Sequence, residues 1–172
     1  HYKIIDTLPD DARLLGHGMD FGYTNDPTSI ISLYKYNDEI ILHEELYKTS
    51  LLNSDIISIC KQKELGTSLY IYADAAEPKS IAEIRRSGIR IQPATKGADS
   101  INYGIQLMQE QKILVTKSST NLIKEFQSYV WATDKKGERI NKPVDYNNHA
   151  IDAIRYAFMM LFSKNKGKYY VS

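Results

Sequence analysis

Three segments near the start of the chain have the composition of β-strands, with β-branched and aromatic residues between short polar turns. These segments are residues 14–22, 28–36 and 39–47. Asn37 and Asp38, between the second and the third, are typical of a tight hairpin turn. Three consecutive strands joined by short turns predict an antiparallel meander. Residues 1–13 are polar and irregular, and we expect them to form a lead-in segment before the domain.

From residue 51 onward, helical and strand patterns alternate. Apolar periodicity and capping residues predict helices at 51–65, 78–87, 97–111, 119–129 and 147–162. Short apolar runs predict strands at 69–73, 89–92 and 113–116, and the polar residues 134–137 predict a hairpin turn. This order predicts one α/β domain over residues 14–163, followed by a basic tail at 164–172. Its mixed β-sheet would start with the antiparallel meander, continue with parallel strands and carry helices on both faces.

Composition fits one globular domain and excludes several classes of protein. The chain has 172 residues and a net charge of +1, so nucleic-acid binding would depend on local basic patches. Its single cysteine, Cys60, excludes an intrachain disulfide and fits a reducing compartment. Neither a signal-peptide layout nor an apolar run of membrane-spanning length is present, so we expect no association with a membrane.

Three aspartates stand where a charge is costly. Asp20 and Asp74 each end an apolar run that predicts a buried strand, and Asp152 lies one turn into the last predicted helix. A carboxylate at such a position needs a partner or a metal ion. Because the carboxyl ends of neighbouring strands meet at one edge of an α/β sheet, we expect Asp20 and Asp74 to lie together. The last helix would bring Asp152 to the same edge.

Clustered carboxylates predict a site for hard divalent cations. Carboxylate oxygens favour Mg²⁺ or Mn²⁺ over zinc, and a pair of such ions suits the hydrolysis of a phosphodiester. His149 precedes Asp152 by three residues on the same helix face, where it suits metal binding, proton transfer or orientation of a phosphate. Taken singly, each residue also fits a structural role: Asp20 in a turn, Asp74 as a helix cap, Asp152 and His149 on a helix surface.

Four blocks of sequence carry a resemblance to a known family. They are Gly-Met-Asp-Phe-Gly at 18–22, Asp-Ala-Ala-Glu-Pro-Lys-Ser-Ile at 74–81, Lys-Gly-Ala-Asp-Ser-Ile at 96–101 and Asn-His-Ala-Ile-Asp-Ala-Ile-Arg-Tyr at 148–156. In this order and spacing they resemble the nuclease domain of the large terminase subunit of tailed phages. The resemblance runs from about residue 18 to residue 162, which is nearly the whole chain.

The resemblance implies a ribonuclease H-like fold and a metal-dependent endonuclease that cuts concatemeric double-stranded viral DNA during genome packaging. Asp20, Asp74 and Asp152 match the acids that bind Mg²⁺ or Mn²⁺, with two ions expected, and His149 matches a histidine beside the last acid. Implied partners are DNA, an upstream packaging ATPase domain, the small terminase subunit and the portal, in the cytoplasm of a host bacterium. The chain itself lacks the Gly-x-x-x-x-Gly-Lys-Ser/Thr phosphate loop, so we expect no ATP hydrolysis.

Basic residues in three places are candidates for DNA contacts. Lys135, Lys136, Arg139 and Lys142 surround the predicted hairpin turn, where they would either follow phosphates or simply be solvated. Lys79, Arg85 and Arg86 lie on the second predicted helix. Lys96 precedes the start of the third, where backbone amides also favour a phosphate. No segment resembles a base-reading element, so we expect cleavage with little sequence preference.

Other functions remain open at this point. A junction resolvase or a ribonuclease H would share the fold and the metals and differ in substrate. Residues 20–25 are somewhat similar to the phosphate hairpin of actin-like ATPases and sugar kinases, but those proteins need a second similar domain and a glycine-rich adenosine loop. In a non-catalytic module that binds DNA or docks the motor, the set of Asp20, Asp74, His149 and Asp152 would be a coincidence, and Mg²⁺ or Mn²⁺ would not bind.

Overall fold

The computed structural model describes residues 1–95, 97–129, 131–133, 135–143 and 148–163. Its strands are β1 (Tyr2–Ile5), β2 (Arg13–Asp20), β3 (Thr28–Tyr36), β4 (Glu39–Lys48), β5 (Ile71–Ala73), β6 (Ile91–Pro93), β7 (Lys112–Thr116), β8 (Trp131–Thr133) and β9 (Arg139–Pro143). Its helices are α1 (Asn53–Lys63), α2 (Pro78–Arg86), α3 (Ser100–Gln109), α4 (Thr120–Ser128) and α5 (His149–Phe162). No helix among these residues is long and apolar enough to cross a membrane.

The main sheet has seven strands in the order β1-β7-β4-β3-β2-β5-β6. The meander β2-β3-β4 is antiparallel, with Asn37 at a positive φ of 54° in the turn between β3 and β4. β5 pairs parallel with β2, and β6 with β5, on one side; β7 pairs parallel with β4 on the other. β8 and β9 form a separate antiparallel hairpin. The predicted order of an antiparallel meander followed by parallel strands is confirmed.

The prediction that residues 1–13 are irregular is wrong for β1. Residues Tyr2–Ile5 pair parallel with β7 at the edge of the sheet, where Tyr2 lies opposite Ile113 and Ile5 opposite Thr116. Four residues with no clear alternation are too short a pattern to identify as a strand. The strand forms because its partner, more than a hundred residues away, offers an unpaired edge.

Helices cover both faces of the sheet, as predicted. α1 and α2 pack on one face through a core that includes Ile56, Cys60, Ile81 and Ile84. α3, α4 and α5 pack on the other face, with Leu107, Leu122 and Phe158 among the buried side chains. Burial raises the pKa of the Cys60 thiol to about 12, so Cys60 is an inert core residue.

Helix α5 lies unusually close to the sheet. Nine of its fourteen residues are buried, and it contacts β2, β3 and β5. The approach is closest at Gly18 in β2, where a Cβ atom would overlap the carbonyl oxygen of Ala153. Only glycine permits this spacing, and it places the first turn of α5 over the end of β2.

Candidate metal centre

Asp20 and Asp74 emerge side by side from two adjacent parallel strands. Asp20 is the last residue of β2, and Asp74 directly follows β5. Met19 lies opposite Ala73 in the register, so the two aspartates that follow share one edge of the sheet. Asp20 is only 8% exposed. The Asp74 Oδ1 atom accepts a hydrogen bond of 2.9 Å from the Ala76 amide, two residues before α2 begins.

The first turn of α5 brings His149 and Asp152 to the same edge. His149 Nδ1 lies 3.4 Å from Asp20 Oδ2, and both side chains are largely shielded from solvent. Asp152, one turn further along, accepts a hydrogen bond of 3.2 Å from the Arg155 guanidinium. His149 and Asp152 are therefore not surface residues of an amphipathic helix. They face the sheet edge that carries the strand-end acids.

The charges of the three aspartates act on one another. Burial raises the pKa of the Asp20 carboxyl to about 6, and the negative charges of Asp152 and Asp74 act in the same direction. The hydrogen bond with His149 opposes this rise and raises the pKa of His149 in turn. Burial and the charges of the same three aspartates also raise the pKa of the Tyr156 hydroxyl. The structure thus gathers Asp20, Asp74, Asp152 and His149 in one electrostatic neighbourhood.

Asp26 belongs to this neighbourhood and is missing from the sequence-based candidates. Its Oδ1 lies 3.5 Å from His149 Nε2, on the other side of the ring from Asp20. The loop between β2 and β3 folds back at Gly22, whose amide donates to the Thr28 hydroxyl at 3.2 Å. In the sequence, Asp26 beside Pro27 has the composition of an ordinary turn, so no local pattern marks it.

Glu125 is a second residue that sequence reasoning did not select. It is 2% exposed on α4, and its carboxylate accepts hydrogen bonds from the backbone amides of Ala150 and Ile151 at 3.0 and 3.1 Å. The Tyr47 hydroxyl donates a third, at 2.7 Å. A possible signal is its spacing of three residues from Leu122, which puts Glu125 on the buried face of α4.

The donor set fits a hard divalent cation. Carboxylate oxygens dominate it, one of them buried, and the mutual repulsion that helps to raise the pKa of Asp20 is what a bound cation would relieve. Among the described residues, no group of three or more acidic, histidine or cysteine side chains is placed so that it could already hold a metal ion. The side chains of this edge would therefore have to draw together on binding.

The candidate DNA contacts are spread over several elements. Lys79 is exposed in the first turn of α2, close in sequence to Asp74. Lys135, Lys136 and Arg139 are exposed on the β8-β9 hairpin, which contacts α3. Lys96 and the side chain of Lys142 lie outside the described part of the chain, as does the predicted basic tail 164–172. Arg85 and Arg86 are both exposed, and Arg85 also donates to the Ile91 carbonyl oxygen, which helps to hold α2 against β6.

Comparisons with known proteins agree on one family. Residues 20–160 match the model of the terminase RNase H-like domain. The chain is 36% identical over 150 residues to the large terminase subunit of Bacillus phage SPP1, covering 82% of this chain and 35% of that protein. It is 28% identical over 143 residues to the PBSX phage terminase large subunit of Bacillus subtilis strain 168, covering 81% and 33%. The chain thus spans about a third of the length of these relatives.

Solved structures give the same result at the level of the fold. The nuclease domain of the large terminase from bacteriophage SPP1, crystallised with bound Mn, superposes with a TM-score of 0.79 at 28% identity, covering 91% of this chain and 94% of that one. The large terminase of the thermophilic bacteriophage D6E superposes with a TM-score of 0.72 at 25% identity, covering 91% and 42%. The ribonuclease H-like fold expected from the sequence is confirmed.

Proposed function

Since the chain belongs to the terminase RNase H-like domain family, we propose that it is a metal-dependent endonuclease that cuts concatemeric double-stranded DNA during viral genome packaging. The remaining two thirds of the relatives' length leave room for a packaging ATPase, and we include that domain, the small terminase subunit and the portal as partners. The host bacterial cytoplasm is the corresponding location.

The observation that carries this proposal is the convergence of four side chains on one sheet edge. Buried Asp20 stands beside Asp74 at the ends of parallel strands, and α5 adds His149 and Asp152. A buried carboxylate surrounded by other carboxylates lowers the stability of the metal-free protein. Such an arrangement is typical of a site whose function requires it.

Asp20, Asp74 and Asp152 would hold Mg²⁺ or Mn²⁺, and we propose two ions. When bound, the cations would neutralise the carboxylates, activate a water and stabilise the leaving oxygen of the phosphodiester. The chain's own contribution is to hold the three carboxylates on rigid elements, one at the end of β2, one directly after β5 and one on the buried helix α5. Phe158 and the other apolar residues of α5 fix this helix against the sheet.

His149 would orient the buried Asp20 carboxylate at the proposed metal site, since its two ring nitrogens face Asp20 and Asp26. The hydrogen bond with Asp20 raises the pKa of His149, and the charge of Asp26 adds to the rise, while burial opposes it. The neighbouring acids thus stabilise the charged imidazolium form of His149 relative to the neutral ring. The two acids on either side of the ring also fix its orientation.

A plasmid-nicking assay tests the proposal. The 172-residue chain is incubated with supercoiled plasmid and Mg²⁺ or Mn²⁺, alongside Asp74→Asn. We expect the wild type to nick and linearise the plasmid and Asp74→Asn to lose at least 100-fold in rate, because it removes a ligand charge at the metal edge. Parallel reactions with four-way junctions and RNA–DNA hybrid would identify a resolvase or a ribonuclease H by a preference for those substrates.

A matched control is Asp38→Asn. Asp38 is an exposed acid at the opposite end of the nine-residue strand β3, where it pairs with Lys112. Its replacement should leave cleavage unchanged, because an exposed ion pair contributes little to stability and lies far from Asp20. Equal nicking by the wild type and Asp74→Asn, or no nicking by the wild type with either metal, would overturn the proposal.

A further inference from the structure

We propose that Glu125 is a positioning residue for the metal centre: its buried carboxylate clamps the first turn of α5 and so sets where His149 and Asp152 stand relative to Asp20. This inference rests on the proposed function, since it assigns Glu125 a part in the same site. Glu125 lies on α4, more than 20 residues before α5 in sequence, and no step of the chemistry uses it directly.

The clamp uses both oxygens of the carboxylate. Oε2 accepts from the Ala150 amide at 3.0 Å, and Oε1 accepts from the Ile151 amide at 3.1 Å. These two amides belong to the residues between His149 and Asp152. Two hydrogen bonds to successive amides fix the first turn of α5 both along the helix axis and in its rotation about that axis. A single hydrogen bond would leave the rotation free.

Glu125 takes the place of a normal N-cap. The first amides of a helix have no partner within the helix, and the residue before it usually supplies one. Here the side chain of Asn148 makes no capping hydrogen bond, and the first intrahelical bond is from the Asp152 amide to the Asn148 carbonyl. The negative charge at this position also complements the positive end of the helix dipole. The start of α5 is therefore held by a different helix rather than by its own sequence.

Tyr47 connects the clamp to the row of the sheet that carries Asp20. Its hydroxyl donates to Glu125 Oε2 at 2.7 Å. In the sheet register, Tyr47 lies opposite Ser29, and Ser29 lies opposite Asp20. The row of paired residues Tyr47, Ser29 and Asp20 thus contains the acid at the end of β2. Through Tyr47 and Glu125 the same row is also connected to the first turn of α5. Both residues of the Asp20–His149 contact are therefore positioned by the same row of the sheet.

The substitution Glu125→Gln tests the clamp with almost no change in volume. Glutamine keeps one acceptor oxygen but presents an NH₂ group to an amide that needs an acceptor. We expect the Kd for Mn²⁺, measured by isothermal titration calorimetry on the 172-residue chain, to rise about 10-fold or more, which is typical for loss of an outer partner of a metal site. In plasmid cleavage at saturating Mn²⁺, kcat should fall while KM for DNA stays the same, because the DNA-contacting surface is untouched.

Asp55→Asn is the matched control. Asp55 accepts from the Leu52 amide at 2.8 Å and so caps α1, which lies on the opposite face of the sheet and carries no site residue. This variant weakens the capping contact of another helix, because a neutral amide replaces the charged acceptor, and its Mn²⁺ affinity and kcat should equal those of the wild type. If Glu125→Gln folds and its Kd and kcat both stay within two-fold of wild type, the proposal is wrong.

Tyr47→Phe decides the question if Glu125→Gln does not fold. It removes one of three hydrogen bonds to the carboxylate and leaves the helix cap in place. We therefore expect the Kd for Mn²⁺ and kcat to change by about 3-fold in the same direction as in Glu125→Gln; no change would overturn the proposal.

Hydrogen exchange of the Ala150 and Ile151 amides separates this inference from the proposed function. Faster exchange in the Glu125 or Tyr47 variant, but not in Asp55→Asn, supports the clamp even if the wild type cuts no DNA, and equal exchange overturns it.

Discussion

Gly18→Ala should disable the site without altering any of its polar residues. A Cβ atom at position 18 would overlap the Ala153 carbonyl oxygen and approach the Ala157 Cβ to 3.2 Å. Carbon–oxygen contacts need about 3.4 Å, so α5 must move away from β2 by more than about 1 Å. Asp152 precedes Ala153 and would move with it. A misplacement of about 1 Å can lower a rate by about 100-fold, and we expect that loss in plasmid cleavage.

The same substitution should also lower stability, and this effect has to be separated from the loss of geometry. Overpacking of a core contact costs about 1–3 kcal/mol, or a fall in Tm of about 2–12 °C for a chain of this size. Gly88→Ala is a control with a similar loss of stability. Gly88 has a φ of 98° and nothing near its Cβ position, so alanine there costs about 1–2 kcal/mol of backbone strain without a steric clash. Tm from thermal unfolding and cleavage rates are measured for both variants well below their Tm. If Gly18→Ala loses no more activity than Gly88→Ala, the spacing of α5 does not set the site.

Two further predictions follow from charge. Burial raises the pKa of the Asp20 carboxyl from an unfolded value near 3.8 to about 6. Without metal, this carboxyl therefore makes its full contribution to the free energy of unfolding below about pH 4. That contribution, about 3 kcal/mol, is lost as the pH rises through about 6. Asp20→Asn should therefore raise Tm in EDTA at pH 8 but not at pH 4 while abolishing cleavage, and an equal Tm at pH 8 would contradict the assigned burial cost. Lys79→Ala should reduce the slope of log K for DNA against log salt by about 1, measured by fluorescence anisotropy, because an exposed lysine close in sequence to Asp74 would contact one phosphate. Lys112→Ala, at the far edge beside Asp38, should leave the slope unchanged, and equal slopes for all three proteins would exclude Lys79 from the DNA interface.

Much of the fold could be predicted because its strands and helices have strong local patterns. The meander, the alternating helices and the family resemblance are confirmed. The positions of Asp20 and Asp74 could also be predicted, since each ends a run of apolar residues and parallel neighbours share an edge. Their roles in binding metal and in catalysis stay predictions, and Lys96 lies outside the described residues.

The rest could not be predicted because it depends on contacts between distant residues. Asp26 reaches His149 only after the loop folds back at Gly22. Glu125 follows Lys124 in a helix whose charged residues would ordinarily face solvent, and its buried partners are amides of another helix. The amides that Glu125 binds and the loop closure that positions Asp26 cannot be recognised from the types of residue in the sequence. Sequence reasoning therefore finds the residues that bear the charge and misses those that fix their positions.

Strand β1 has a consequence for how copies of the chain behave near one another. Without it, β7 would present an open apolar edge, Ile113-Leu114-Val115, to which a second chain could add a strand. β1 covers that edge with a strand of only four residues that includes Lys3. The opposite edge, β6, is three residues long and ends in Pro93. Both borders of the sheet are thus short and poorly suited to further pairing, which guards the chain against sheet-to-sheet aggregation.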